Sequence, residues 1–577
     1  MSALTRFSIL TWCALCIGYG RADTATEVAA RIDEGLLKTL ALEQGVIGRT
    51  PAAVPVVLSP LTDDATFIRR VTIDLAGRLP RADEVRAFLA SDLGTKRADL
   101  IDRLALSREA SDLRYLRLAD LLRVRDKVGE RSLLPFADWL RKSVRGNVAW
   151  DELMRQMLLA SGDQSTSPAT GFLLRDEGNR LHTAVAVASI LLGTDFHCAQ
   201  CHDHPFADWT QMQTYQLAAC LPPVRGEMPA AMRKPKKAET LLPGARRLGR
   251  VMIEPVIPPP DERKLSQVGW FGIAEGAHDL LPGMRLRNDY KYVDGKPGDV
   301  VGAAVPVFTK WQRRELIGLR GTPMTGSATR DEVVTTLFKL HRERIARVMA
   351  LRVWIWMFGF ETAKTDLREG DADLGEMSVE WLHSCSAGLT NSLRYQNMVD
   401  TPFAQLLGKE FERCSFDLRE FLRIIASTVA YQRQAVPSPP MGQPQFTSAP
   451  TIRRLPPGVV WDAFQEWLGS APITRAVEQP AVVDVAHPLR LLGRGTRQWT
   501  EEEAPLIAPG IARFFANSES VHQAEQKLTT SPLEDLFLTI LGRPATAEET
   551  SAFALSGLSS ADAAWALINT TEFLFQH

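Results

Sequence analysis

Residues 197 to 209 read His-Cys-Ala-Gln-Cys-His-Asp-His-Pro-Phe-Ala-Asp-Trp, the densest run of metal- and thiol-chemistry residues in the chain. Its core, Cys198-Ala199-Gln200-Cys201-His202, has the spacing of c-type haem attachment. Two intervening residues bring two sulfurs to the separation of the porphyrin vinyl carbons. The next residue can then turn its imidazole to the iron, which makes His202 the proximal ligand. The same residues admit zinc, through Cys198, Cys201 and one or two of His197, His202 and His204. They also admit a redox dithiol or structural disulfide, or a motif that binds nothing. For haem c the sixth iron position is undetermined. His204 is too close in sequence to reach the opposite face. Met212, Met228, Met232, His182 and His278 are candidates, although each reads more readily as a core methionine or surface histidine. Asp203 or Asp208 could orient His202 through Nδ1 or could cap a helix. Trp209 and Tyr215 read as packing around the loop.

No second catalytic constellation competes. The chain has no G-x-S-x-G, no Gly-rich phosphate loop and no H-E-x-x-H. Asp63-Asp64 and Asp371 with Asp373 read as caps and solvated turns. Lys plus Arg is 67 and Asp plus Glu is 68, so no global field draws nucleic acid or an anionic membrane. The basic run 233–237 has no interleaved aromatics and reads as a solvated linker.

Residues 1–22 read as a secretory signal: Arg6, a short apolar run from Phe7 to Ile17, then Gly20-Arg21-Ala22. A periplasmic or otherwise extracytoplasmic protein is expected, which agrees with where haem c is attached. No later segment is long and apolar enough to span a bilayer. Beyond the signal, Cys198, Cys201, Cys220, Cys385 and Cys414 remain. This count is too small for a disulfide scaffold, so the core must hold the fold. The pairing of Cys220, Cys385 and Cys414 is left open.

The elements that must position the motif are helices. The 577 residues are 45% hydrophobic and 23% charged, ordinary for a globular core. Apolar spacing predicts helices over 26–44, from Asp63 or Asp64 to Gly77, from Asp83, and over 97–106, 113–122, 134–143 and 150–159. Prolines make 222–265 a linker, and short alternating pieces such as 300–308 suggest a small β element. Thr329 to Glu332 is a capping box opening a second helical region. The run 345–360 is apolar on several faces and reads as a central core helix. Two more capping boxes are written at Ser531 to Glu534 and Thr546 to Glu549. The expected fold is mostly α and multi-helical. It comprises a signal (1–22), a cytochrome-like helical region (23–221), a Pro-rich linker with a small β element (222–325) and a C-terminal helical region (326–577).

One internal echo stands out. Gly77-Arg78 is followed by Glu84, Ala87 and Phe88, and Gly542-Arg543 by Glu549, Ala552 and Phe553, at identical spacings. Capped helical hairpins have few ways to be written, which accounts for the echo as coincidence. The alternative, less favoured, is a duplicated hairpin that packs against its twin.

The stretch Asp64 to Pro80, with Glu84-Val85 and Phe88-Leu89, resembles the opening of the planctomycete cytochrome-like domain (domain of unknown function 1549). Phe136 to Leu140, Gly171-Phe172 and residues 198 to 206 resemble its later motifs. Residues 344–359, 416–422, 427–432 and 536–549 resemble its usual companion (domain of unknown function 1553). The resemblance implies an exported, modular protein with a cytochrome-like cysteine motif, and supplies no activity. The chain departs from the pattern in lacking a separate N-terminal cytochrome module, and in having Leu351 where the companion usually has Asn. The leading reading is a haem-c electron carrier or redox partner, whose enzymatic status the residues do not decide. The alternative is a non-enzymatic binding or scaffold protein whose Cys/His cluster holds zinc or a disulfide.

Overall fold

The structure, a computed structural model, describes residues 23–47, 58–128, 131–176, 178–204, 209–227, 270–273, 276, 278–308, 319–323, 328–359, 398–437, 446–469, 475–479, 487–495, 497, 515, 519–528 and 531–577. The expected signal, the basic run, Met228, Met232, Asp208, Cys385 and the carboxylates Asp371 and Asp373 lie outside these residues.

Helices carry the fold, and the strands are short antiparallel pieces. The first helix, Ala25–Ile47, buries Val28, Ile32, Leu36 and Leu40, one residue every four, and so presents a single apolar stripe. That stripe packs on Pro402–Arg413 and Leu418–Ser427, from the other end of the chain. Asp33 then caps the residues after the second of these, accepting from Val429 and Ala430 backbone N–H at 2.7 and 2.9 Å. The hydrophobic core therefore does not stop at the proline-rich stretch. One continuous cluster runs from Val28 to Leu538.

At its centre lies the helix Arg330–Phe358. The capping box forms as written: Thr329 Oγ1 accepts from Glu332 N, and Glu332 returns the bond to Thr329 N. The sequence suggested two helical pieces here. Two pieces form, run end to end and separated by a kink at His341 (φ −118°, ψ 17°), whose Nε2–H donates to the Pro306 carbonyl. From Ile345 onward the helix is buried on nearly every face, and Trp354 stacks on Phe358 at 3.7 Å. The small β element is present as Met284–Arg285 paired with Val300–Val301, and Ala304–Phe308 paired with Leu319–Pro323. Arg225–Glu227 and Trp270–Ile273, at the margins of the proline-rich stretch, join Gly162–Asp163 in a three-stranded sheet.

The echoed hairpins are the same object built twice. Asp63 caps Asp64–Ala76, and Gly77 ends it in the left-handed region (φ 68°). Gly542 does the same (φ 74°) after Leu533–Leu536 and the wider turn Phe537–Leu541. In each copy the arginine after the glycine grips the glutamate of the next helix with two hydrogen bonds. Arg78 meets Glu84 at 2.7 and 2.8 Å, and Arg543 meets Glu549 at 2.7 Å twice. Each glutamate also caps its own helix, through Arg81 N or Thr546 N. The copies then pack together. Arg69 of the first donates to the Ile540 carbonyl of the second at 2.9 Å, and Gly542 sits so close to Arg69 and Pro80 that a Cβ would lie 3.4 Å from both. Ile73 and Leu79 share a core with Leu536, Phe537, Ile540 and Leu541.

Two sequence expectations need correction. The box written at Ser531 to Glu534 does not form, because Pro532 occupies the cap position of Leu533–Leu536 and has no side-chain acceptor. The helix expected over 113–122 starts earlier, at Arg108, where Ser107 accepts from Ala110 N.

Burial alone would raise the Glu84 carboxyl, but hydrogen bonds from Arg78 and Arg81 hold it at about 2. The Glu549 carboxyl is held at about 2 chiefly by Arg543. Both lie below the ordinary 4.5. Their stabilisation is therefore complete above pH 4.5 and is lost as pH falls from there toward 2. Glu84→Gln should cost about 1–3 kcal/mol in urea unfolding. Glu549→Gln sits in the more exposed pair and should cost about 0–1 kcal/mol. Equal costs, or variants that keep the wild-type loss of stability in acid, would contradict this account.

Candidate functional site

The Cys-His loop hangs from the end of a buried helix. Arg180–Val187 begins with Asn179 accepting from His182 N, and widens into a turn of π helix over Ala188–Leu192. Gly193 (φ 61°) terminates it. The widened end leaves carbonyls that water cannot reach, and arginines of the central helix supply the donors. Arg352 donates to Ser189 O and Ile190 O, both at 2.8 Å, and Arg344 Nε donates to Leu192 O at 2.7 Å. Beyond the glycine, buried Phe196 packs on Trp209 with ring centres 4.3 Å apart, so the two ends of the loop meet. His204 N donates to Trp209 O at 2.8 Å, closing the backbone there.

Between these anchors the motif forms a single 3-10 turn, Cys198–Gln200, with Ala199 fully buried beneath it. Cys198 is half-buried, and Cys201 and His202 are exposed. The two sulfurs are thiols and are not joined. His202 Nδ1–H donates to the carbonyl of Asp203 at 2.7 Å. The Asp203 carboxylate does not orient His202. It caps the helix Gln211–Ala219 by accepting from Gln211 N at 2.8 Å, so the capping reading of that residue holds. Gln211 Nε2 returns to Gln200 O at 3.2 Å. Tyr215 is buried in an apolar cluster with Leu286 and Tyr290, and that burial pushes its hydroxyl up to about 12.

The neighbours that the sequence did not point to come from the β element. Asp203 N donates to Tyr292 Oη at 2.7 Å, and Arg287 Nη1 lies 3.7 Å from Cys201 Sγ while pairing with Asp289. Nothing in the local sequence of 284–301 marks these residues. Arg344 and Arg352 carried a usable signal, because charged residues inside an apolar helical run must find partners.

The histidines divide by burial. His197 Nδ1 is 2.6 Å from Asp195 Oδ1 on the exposed side. His204 is buried, and burial draws its pKa down, against the pull of Asp195. His182 is drawn down in the same way, and His278 is exposed. Met212 packs with Tyr215, Leu286 and Tyr290. Among the described residues no three His, Cys, Asp or Glu side chains converge on one metal position. The zinc set of Cys198, Cys201, His197 and His204 is thus not assembled there. The donor set of haem c needs less convergence: two accessible sulfurs and one imidazole with Nε2 available. With its Nδ1 proton committed to a carbonyl, His202 meets the last condition.

Residues 46–225 match the model of a family described as a protein of unknown function (DUF1549, PSCyt2). The match covers the first helical region from the end of its first helix onward, including the whole Cys-His loop. No curated protein and no solved structure matches the chain. Among the described residues no helix is long and apolar enough to cross a membrane.

Arg352→Met would remove the donor to the buried Ile190 carbonyl and one of two donors to the Ser189 carbonyl while keeping the side chain's bulk. It should cost about 1–3 kcal/mol and free the loop's inner anchor. Maleimide labelling should then speed up several-fold at half-buried Cys198 and hardly change at exposed Cys201. Wild-type labelling rates at both cysteines in a destabilised Arg352→Met protein would show that the helix end does not position the motif.

Proposed function

We propose that this is an extracytoplasmic c-type haem protein that serves as an electron carrier or redox partner. Cys198 and Cys201 would hold the porphyrin through thioether bonds, and His202 would ligate the iron through Nε2. The observation that carries the reading is the 2.7 Å bond from His202 Nδ1–H to the Asp203 carbonyl. It fixes the tautomer a metal-bound imidazole needs and leaves the ligating nitrogen on an exposed face. Haem bound there would supply a one-electron couple at its iron. The chain's own residues supply the rest. Gln211 and Tyr292 hold Asp203, Asp203 holds His202, and the packed pair Phe196 and Trp209 closes the loop. Thioether attachment takes place outside the cytoplasm, which the expected N-terminal signal would provide. The C-terminal motifs support a planctomycete-type pairing with the companion domain, which makes the second helical region a platform for the first.

The test is covalent haem on the exported protein. Expressed in a host competent for haem attachment, boiled in SDS and stained, the band should be haem-positive and show a Soret absorption. Cys198→Ala with Cys201→Ala should abolish the stain while the protein stays helical. His202→Ala should keep the stain and shift the spectrum. A colourless wild-type band, with the double variant folding normally, would refute the haem reading and leave the scaffold alternative.

A further inference from the structure

The Cys-His loop is held from a part of the chain that the family match does not cover. The match ends at residue 225, and the hairpin of Met284–Arg285 with Val300–Val301 lies beyond it. That hairpin is fastened along its length. At its foot, Arg180 Nη1, from the helix that leads to the loop, donates to the Gly283 carbonyl at 2.6 Å. Further along, Leu286 and Tyr290 are buried with Tyr215. Toward its far end, Gly295 lies so close to the helix Gln211–Ala219 that a Cβ there would stand 2.9 Å from Met212 Cε. A two-stranded ribbon is marginal by itself, and these contacts make it a fixed body.

The hairpin meets the loop through Arg287, at Cys201 Sγ, and through Tyr292, at Asp203. The second contact carries the argument. The Tyr292 ring stands edge-on to Tyr290 at 5.6 Å, and its Oη accepts from Asp203 N at 2.7 Å. The peptide after Asp203 is pinned by His204 N donating to Trp209 O, and its carbonyl accepts His202 Nδ1–H. The Asp203 carboxylate is pinned by Gln211 N. Among the described residues, Tyr292 alone pins the peptide before Asp203, the one that joins it to His202. The orientation of that peptide decides where the Asp203 carbonyl lies relative to the His202 ring, and so whether Nδ1–H finds it. An imidazole without such a bond populates both tautomers.

We propose that Tyr292 is a positioning residue for His202: the hairpin completes the Cys-His site, and the Tyr292 phenol keeps the imidazole in its Nδ1–H tautomer with Nε2 free. This rests on the haem reading only for what Nε2 then ligates. The tautomer is a property of the chain itself.

The test begins with the full chain free of haem and labelled with ¹⁵N at histidine. His202 should be Nδ1–H in the wild type. Tyr292→Phe keeps the ring and loses the accepting oxygen. It should turn His202 into a mixture of tautomers and speed hydrogen exchange at the Asp203 amide roughly fivefold. Tyr290→Phe removes a hydroxyl of the same hairpin that bonds Asp294 and not the loop. It should move neither readout. A Tyr292→Phe protein with the wild-type tautomer and exchange rate overturns the proposal, and so does a Tyr290→Phe protein that changes both as much. Should Tyr292→Phe fail to fold, a wild-type Asp203 amide that exchanges as fast as an unprotected one overturns it. In protein that carries haem, Tyr292→Phe should raise the reduction potential, because a weaker bond at Nδ1 makes the imidazole a poorer donor. An unchanged potential overturns the proposal. A wild type that takes up no haem removes the haem reading and leaves the tautomer and exchange measurements to decide.

Discussion

Guanidinium groups buried against backbone carbonyls hold this molecule together. A helix that ends inside a protein leaves carbonyls that neither water nor its own backbone can satisfy. Here the donors come from arginines distant in sequence. Arg69 reaches Ile540 and Phe573 carbonyls, Arg70 reaches those of Tyr431, Arg433 and His577, and Arg344 and Arg352 reach the helix end at 189–192. Arg453 reaches the Met357 carbonyl while pairing with Asp74, and Asp74 also accepts the Tyr431 hydroxyl. Each such group is costly to bury and costly to leave alone, so the contacts act as specifications of which helix ends meet. Apolar packing makes the core favourable, and the arginines select this arrangement of it.

The Cys-His loop inherits its position from that network. Its inner end is fixed by the central helix, its outer end by the Phe196 and Trp209 pair, and its middle by Asp203 between Gln211 and Tyr292. The motif itself contributes little packing beyond Ala199. This division would suit the proposed haem site, which needs sulfur and imidazole offered to a large flat group. The rigid parts lie behind the chemistry, and the reactive atoms face outward. Arg287 beside Cys201 adds a cation to an otherwise polar rim.

The duplicated hairpins show how much local sequence can specify. Gly77 and Gly542 are needed because only a residue without Cβ takes the left-handed turn without strain. Arg78 with Glu84, and Arg543 with Glu549, close the same fork because the spacing places both partners on the turn's outer face. Even so, the copies are not equivalent in context. The helix Ala82–Leu89 buries Val85 and Phe88, whereas Ala547–Ser556 buries nothing. The same local signal is thus used once inside the core and once at its edge.

Local rules in the sequence determined most of the helices, the left-handed glycine stops, two of three late capping boxes and the motif with its spacing. These depend on neighbours within four residues, where periodicity and capping act. Only the tertiary structure decided that the two helical regions share one core and that the hairpins pack on each other. It alone placed Tyr292 and Arg287 at the motif and Arg344 and Arg352 behind it. Those choices are made by charge and shape complementarity between groups tens to hundreds of residues apart, and a linear pattern carries no record of which buried arginine will meet which carbonyl.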